Sequence, residues 1–129
     1  MSLSAEHIQA NWEIFLTNIE EHISSPRKEK LLAFYKKFED DLVLMPASHK
    51  TAYHNAFPGG YVDHVNRVVS GALAINKVWK EFGTEQNYTI EELVFSAINH
   101  DLGKMGNGEE MAYLPSQDEW RKKNLGEMY

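Results

Sequence analysis

The segment whose residues could do chemistry most directly is Asn99-His100-Asp101-Leu102-Gly103-Lys104, which follows the apolar run 93–98. That run predicts a buried helix with His100 and Asp101 in its last turn. The unpaired carbonyl groups of a helix end carry partial negative charge, which favours a nearby cation. Imidazole and carboxylate together suit divalent ions. Such a pair can equally be a cap or a surface ion pair, so a metal site needs a further ligand.

Gly103 and Lys104, which follow this pair closely, fit a site for phosphate. Gly103 allows the left-handed turn that ends many helices. Lys104 carries a charge suited to phosphate oxygens. The alternative for Lys104 is a solvent-facing lysine, which the dipole of a helix end also favours.

His64 is the candidate for the further ligand. It lies in the first turn of a predicted helix, in Gly59-Gly60-Tyr61-Val62-Asp63-His64-Val65. Val68 and Gly71 continue its face as small and apolar, so the polar ring needs a partner there. A single helical histidine can also be a surface residue or one satisfied within the core.

Composition indicates one globular domain, spanning residues 1–129, with room for a hydrophobic core. The chain is 43% hydrophobic and 25% charged, which is ordinary for a soluble protein. The net charge of -6 argues against binding to long nucleic acids or anionic membranes. There is no cysteine, and no stretch resembles a membrane span or a secretion signal, so we expect a cytoplasmic protein.

Hydrophobic periodicity predicts an all-α fold, a compact bundle of about five helices. The first helix buries Ile8, Trp12, Phe15, Ile19 and Ile23. Capping signals open the fourth helix at Thr89 and the fifth at Ser116. The predicted helices cover 4–24, 26–41, 61–82, the segment from 90 to the His-Asp pair, and a short stretch around Trp120.

The third predicted helix carries apolar residues on more than one stripe, so we expect it to be central in the bundle. Its apolar positions are Val65, Val68, Val69, Ala72, Ile75, Trp79 and Phe82.

The histidine motifs lie in a definite order. The first motif is His54-Asn55-Ala56-Phe57-Pro58-Gly59-Gly60-Tyr61-Val62-Asp63-His64, and the second is His100-Asp101-Leu102-Gly103-Lys104. His100 lies 36 positions after His64. Together they resemble the HD-domain superfamily of metal-dependent phosphohydrolases, over residues 53–104. A fainter similarity links the chain to small HD proteins of tailed bacteriophages.

This resemblance implies an HD-type helical domain with a divalent metal ion, Fe, Mn, Ni, Zn or Mg, held by His64, His100 and Asp101. Asp101 is also the family position tied to a metal-activated water, and Lys104 would contact the phosphate, so these two are the implied catalytic residues. His54 stands where relatives carry a histidine near the substrate. It is expected to contact the substrate or to contact the metal ligands, and not to bind the metal itself.

The sequence departs from the family pattern at its end. The family carries a final aspartate several tens of residues after the His-Asp pair, and the chain ends before that distance. Asp118 fits a helix-start signal and is interpreted as structural. Glu109 and Glu110 are weak substitutes. We therefore expect a shortened HD protein that lacks its last helices and pairs its uncovered apolar face in a homodimer or higher assembly.

The leading hypothesis is a metal-dependent phosphohydrolase, an enzyme in its full-length form, acting on a nucleotide or other small phosphate ester. The alternative is a non-catalytic HD-like module that binds a nucleotide or a protein partner, because the metal set is incomplete. A plain helical interaction protein would leave the coincidence of the histidine motifs unexplained.

Overall fold

The computed structural model describes residues 2–83 and 85–129, and within these ranges the fold is all-α, as predicted. An isolated bridge between Lys50 and Glu127 is the one β-type pairing in this part of the chain. The helices are α1 (Ala5–His22), α2 (Arg27–Lys37), α3 (Glu39–Leu44), α4 (Gly60–Glu81), α5 (Ile90–Asn99) and α6 (Glu119–Leu125), with a 3-10 turn at Leu102–Met105. None of the helices described is long and apolar enough to cross a membrane.

The core lies between α1, α4 and α5, which pack against one another. Trp12, Phe15 and Ile19 of α1 are buried, which confirms the face predicted for this helix, although Ile8 is only half-buried. The rings of Trp12 and Phe15 stack with centroids 5.3 Å apart. Each large apolar side chain removed from water in this way contributes roughly 1.5–3 kcal/mol to folding.

The second predicted helix is wrong in one respect, because the chain breaks it at Phe38 into α2 and α3. Phe38 leaves helical geometry at φ −107° and ψ 17°, and its amide bonds to the carbonyl of Tyr35 instead of continuing the α-helical pattern. The break redirects the chain, so that α2 packs on α1 while α3 packs on α4. Both Tyr35 and Leu42 thereby become fully buried.

The prediction that α4 is central in the bundle is confirmed, because it packs against α1, α3 and α5, but not all of its apolar residues enter the core. Val65 and Val69 are buried, but Ile75, Trp79 and Phe82 are 59%, 52% and 82% exposed. Length is not the cause, because Asn76, directly after Ile75, is buried and bonds to Tyr88. The three exposed residues recur at spacings of four and three, so they share one face of the helix, and that face is open to solvent.

The segment after α5 returns to the loop between α3 and α4. The last helix does not open at Ser116 as predicted, because Asp118 is its N-cap and accepts a hydrogen bond from the amide of Arg121. This agrees with the structural role predicted for Asp118. The amide of Thr51 bonds to the carbonyl of Gly126, and Lys50 forms an ion pair of 2.9 Å with Glu127. These contacts tether the C-terminal segment to the loop that carries His54.

Candidate metal centre

The pairing of α4 with α5 brings together two helix ends that are distant in sequence. The start of α5 lies beside the C-terminal half of α4, where Tyr88 bonds to Asn76. The end of α5 consequently reaches the first turn of α4, and His100 meets His64 there. An antiparallel pair of helices is therefore what positions the candidate ligands.

Three ligand atoms form a nearly equilateral triangle. Nε2 of His64 lies 3.2 Å from Nε2 of His100 and 3.3 Å from Oδ2 of Asp101, and the third side measures 3.4 Å. The corners of such a triangle are about 1.9 Å from its centre, so an ion slightly above the plane would meet each atom at the ~2.0–2.1 Å of zinc–nitrogen and zinc–oxygen bonds. The three predicted ligand atoms are thus spaced as the ligands of a divalent ion are.

The protonation of His100 also suits a ligand. Its Nδ1 lies 2.7 Å from the carbonyl oxygen of Ala97, which can only accept a hydrogen bond, so Nδ1 carries the proton. Nε2 of the neutral ring then presents a lone pair to the triangle. Metal-binding histidines are commonly oriented by such a bond from the other ring nitrogen.

The surroundings of His64 disfavour its protonated form. Partial burial lowers the pKa of His64, electrostatic repulsion from His54 lowers it further, and the opposing effect of Asp101 does not restore it. A neutral imidazole is the form that binds a metal ion. Protons therefore compete weakly with a cation at this nitrogen.

Asp101 is held by Lys104. Partial burial alone would raise the pKa of Asp101, but the hydrogen bond and charge of Lys104, with the two histidines, bring it below its usual value. Nζ of Lys104 lies 2.8 Å from Oδ2 of Asp101 and 3.0 Å from the carbonyl oxygen of Ala47. Lys104 thus lies at the centre in contact with a ligand, and its predicted contact with phosphate stays a prediction.

His54 lies closer to His64 and Asp101 than a residue that only contacts substrate would need to. Its ring centroid is 4.5 Å from that of His64, and one of its ring nitrogens lies within 4.8 Å of the ligand atoms of His64 and Asp101. The cluster does not include the weak substitutes Glu109 and Glu110, whose amides bond to Asn107 instead.

The two glycines before His64 are each required for a different physical reason. Gly59 has φ +78°, a conformation that side chains with a Cβ rarely adopt. A Cβ on Gly60 would lie 2.2 Å from the carbonyl oxygen of Asn55. Asn55 in turn donates hydrogen bonds to Asp63 and to the carbonyl of Gly60, each 2.9 Å long. This close approach fixes the backbone beside His54.

Sequence reasoning assigned no role to Asn55 or Asp63, although they brace this loop. The signal was present: Asn tolerates a positive φ, here +52°, and Asp63 directly precedes the ligand candidate in the first helical turn. Asp63 also accepts a hydrogen bond from Asn11 and forms an ion pair with Arg67. It therefore links α1, the loop and α4 at the edge of the centre.

The end of α5 and the turn after it differ from the prediction. The helix ends at Asn99, so His100 caps it and Asp101 follows it, and the pair does not lie inside its last turn. Gly103 lies inside the 3-10 turn and has no positive φ; the positive φ, +91°, belongs to Gly106. The 3-10 turn shortens the distance from Asp101 to Lys104, whose amide bonds to the carbonyl of Asp101. This tight turn is what lets the lysine reach back to the carboxylate.

The chain was compared with family models, with curated proteins and with solved structures, and none of them matches.

Proposed function

We propose that this protein is a metal-dependent phosphohydrolase of the HD type, acting on a nucleotide or other small phosphate ester. The observation that carries the proposal is the triangle of two Nε2 atoms and one Oδ2, with sides of 3.2 to 3.4 Å. The order of the His64 and His100-Asp101 motifs, which resembles the HD superfamily, supports it independently. When bound, a divalent ion lowers the pKa of water and neutralises charge on a phosphoryl group.

The exposure of the ligands favours a catalytic centre over a structural one. The side chains of His64 and Asp101 are about one-fifth exposed and that of His100 about one-third. Structural zinc sites are closed by four protein ligands, whereas catalytic sites keep a position open to substrate. An exposed triangle leaves room for a phosphate on its solvent side.

Charge at the centre suits an anionic substrate. The charges of Lys104 and Asp101 cancel as a pair, so a divalent ion would leave the centre with a net positive charge. Lys104 has three donor hydrogens, and those not used by Asp101 and Ala47 can donate to a phosphate oxygen. The overall charge of -6 favours a small phosphate ester over a long nucleic acid.

One observation favours the alternative, a non-catalytic module that binds a nucleotide or a protein partner. Lys104 already bonds to Oδ2 of Asp101, and the histidines lie within hydrogen-bond distance of each other. The cluster is thus satisfied without an ion, as expected of a centre that has kept its fold and lost its metal. Nucleotide binding that is equally tight with and without a chelator would support this alternative.

The test of the proposed function is hydrolysis. The protein would be loaded separately with Mn²⁺, Zn²⁺, Ni²⁺ and Fe²⁺ and assayed for phosphate release from nucleoside monophosphates and from a chromogenic phosphodiester. The control is His22→Asn, since His22 lies at the end of α1, outside the cluster. We expect activity in the parent and in His22→Asn but none in His100→Asn. Equal release by all three proteins would contradict the proposal.

A further inference from the structure

The third histidine of the cluster has a position that a substrate contact does not explain. His54 belongs to the loop before α4, and a nitrogen of its ring already lies within 4.8 Å of the ligand atoms of His64 and Asp101. The triangle of His64, His100 and Asp101 supplies three ligands. An ion with five or six ligands can take a further protein ligand and still keep a position open to substrate.

We infer that His54 is a fourth ligand of the metal centre proposed above, which makes the donor set three imidazoles and one carboxylate. This inference rests on the proposed metal centre and concerns its composition. It replaces the expectation that His54 only contacts substrate or supports the other ligands.

The required movement is small. Around an octahedral ion with bonds of about 2.0–2.1 Å, adjacent ligand atoms lie roughly 2.9 Å apart and opposite ones roughly 4.2 Å apart. A separation of up to 4.8 Å from the ligand atoms of His64 and Asp101 therefore closes with a shift of about 2 Å or less. The ring of His54 is exposed and already beside His64, so no buried group has to move for this shift.

The backbone at His54 is fixed by hydrogen bonds, whereas its ring is exposed. The hydroxyl of Ser48 donates a hydrogen bond of 2.6 Å to the carbonyl of His54. The next residue, Asn55, is bonded to Gly60 and Asp63. The fixed backbone limits the entropy lost when the ring binds, because only the rotamer freedom of the side chain is given up.

The donor set also selects the class of metal. Imidazole nitrogen suits Zn, Ni, Fe and Cu, while Mg prefers carboxylate, carbonyl and water oxygens. A centre with three histidines and one aspartate is thus expected to bind borderline transition metals and to reject Mg²⁺. This narrows the set of divalent ions that the motifs alone allow.

The experiment is a Co²⁺ titration, followed by calorimetry and by the visible absorption of the bound ion, which reports coordination number and ligand type. The variants are His54→Ala and His54→Asn, with His100→Ala as the positive control. His49→Ala is the matched control, because His49 lies in the same loop and its ring packs on Tyr53. Circular dichroism checks that each variant is folded.

We expect both His54 variants to weaken Co²⁺ binding by about tenfold or more and to change the absorption spectrum. His49→Ala should match the parent, and Mg²⁺ should not compete. If the His54 variants match the parent in affinity and spectrum while His100→Ala loses Co²⁺, the role of His54 is refuted and the three-ligand centre stands. A parent that binds no Co²⁺ would refute the centre itself.

Discussion

The hydroxyl of Tyr35 donates a hydrogen bond of 2.7 Å to Oδ1 of Asn99, which lies 64 positions further along the chain. The amide nitrogen of Asn99 donates to the carbonyl of Phe95 within α5. Tyr35 is fully buried. This bond fixes the end of α5 against α2, directly before His100.

The first prediction compares Tyr35 with a second buried tyrosine. In the part of the chain that the structure describes, the hydroxyl of Tyr61 has no hydrogen-bond partner. Tyr35→Phe should lower the free energy of unfolding by about 1 kcal/mol, because a bond is lost, whereas Tyr61→Phe should change it by less than about 0.5 kcal/mol or raise it. Urea unfolding measures both. Equal losses in the two variants would contradict the hydrogen-bond assignment.

The second prediction concerns the paired glycines. Gly60→Ala should destabilise the fold by about 2 kcal/mol or more, since the new Cβ would lie 2.2 Å from the carbonyl oxygen of Asn55. Gly71→Ala is the matched control on the same helix, where a Cβ meets nothing within 4 Å. That variant should gain about 0.5–1 kcal/mol from helix propensity. Thermal unfolding followed by circular dichroism distinguishes the two, and an unchanged Gly60→Ala would refute the close approach.

The third prediction separates the two roles open to Lys104. Lys104→Met removes a donor for phosphate, so kcat/KM for a phosphate ester should fall by at least about tenfold when the metal is saturating. Lys77→Met is the control, because Lys77 is exposed on α4. Saturating metal removes any contribution from altered metal affinity. Unchanged turnover in Lys104→Met would leave the lysine with only its bonds to Asp101 and Ala47.

The fourth prediction is a pH dependence at the C-terminal tether. The hydrogen bond from Lys50, with the charge of Arg121, lowers the pKa of Glu127 below 4.5. A lowered folded-state pKa means that the stabilisation is present above pH 4.5 and is lost as the pH falls through the folded-state pKa.

The measurement for this tether is the free energy of unfolding of the parent and of Glu127→Gln at several pH values. The parent should be the more stable protein at pH 7, and the difference should shrink below pH 4.5. A difference that stays constant with pH would show that the charge of Glu127 does not stabilise the tether.

Local signals in the sequence predicted the helices well where capping and periodicity agree. Ser4 caps α1, and Thr89 with Glu92 forms the complete capping box of α5. The sequence did not predict the break at Phe38. No proline or glycine stands at position 38 or next to it to signal a break. The break arises from packing of α3 on α4, which is a tertiary effect.

For α4, the apolar stripes correctly predicted a central helix, which packs against α1, α3 and α5. Hydrophobicity alone does not predict which stripe the other helices cover, and the face of Ile75, Trp79 and Phe82 is exposed. For the candidate centre, motif order predicted that His64, His100 and Asp101 belong together. The contact of Lys104 with Ala47 and the approach of His54 could not be predicted, because both depend on the path of the 45–58 loop.

The most direct test of the metal centre is the metal content of the purified protein after reconstitution and dialysis, measured beside Asp101→Asn. Asn keeps the shape of Asp101 but removes the negative charge and weakens the donor. The triangle predicts close to one transition-metal ion per parent chain and a marked loss in the variant. Equal content in the two proteins, or no retained ion in the parent, would contradict a metal centre at His64, His100 and Asp101.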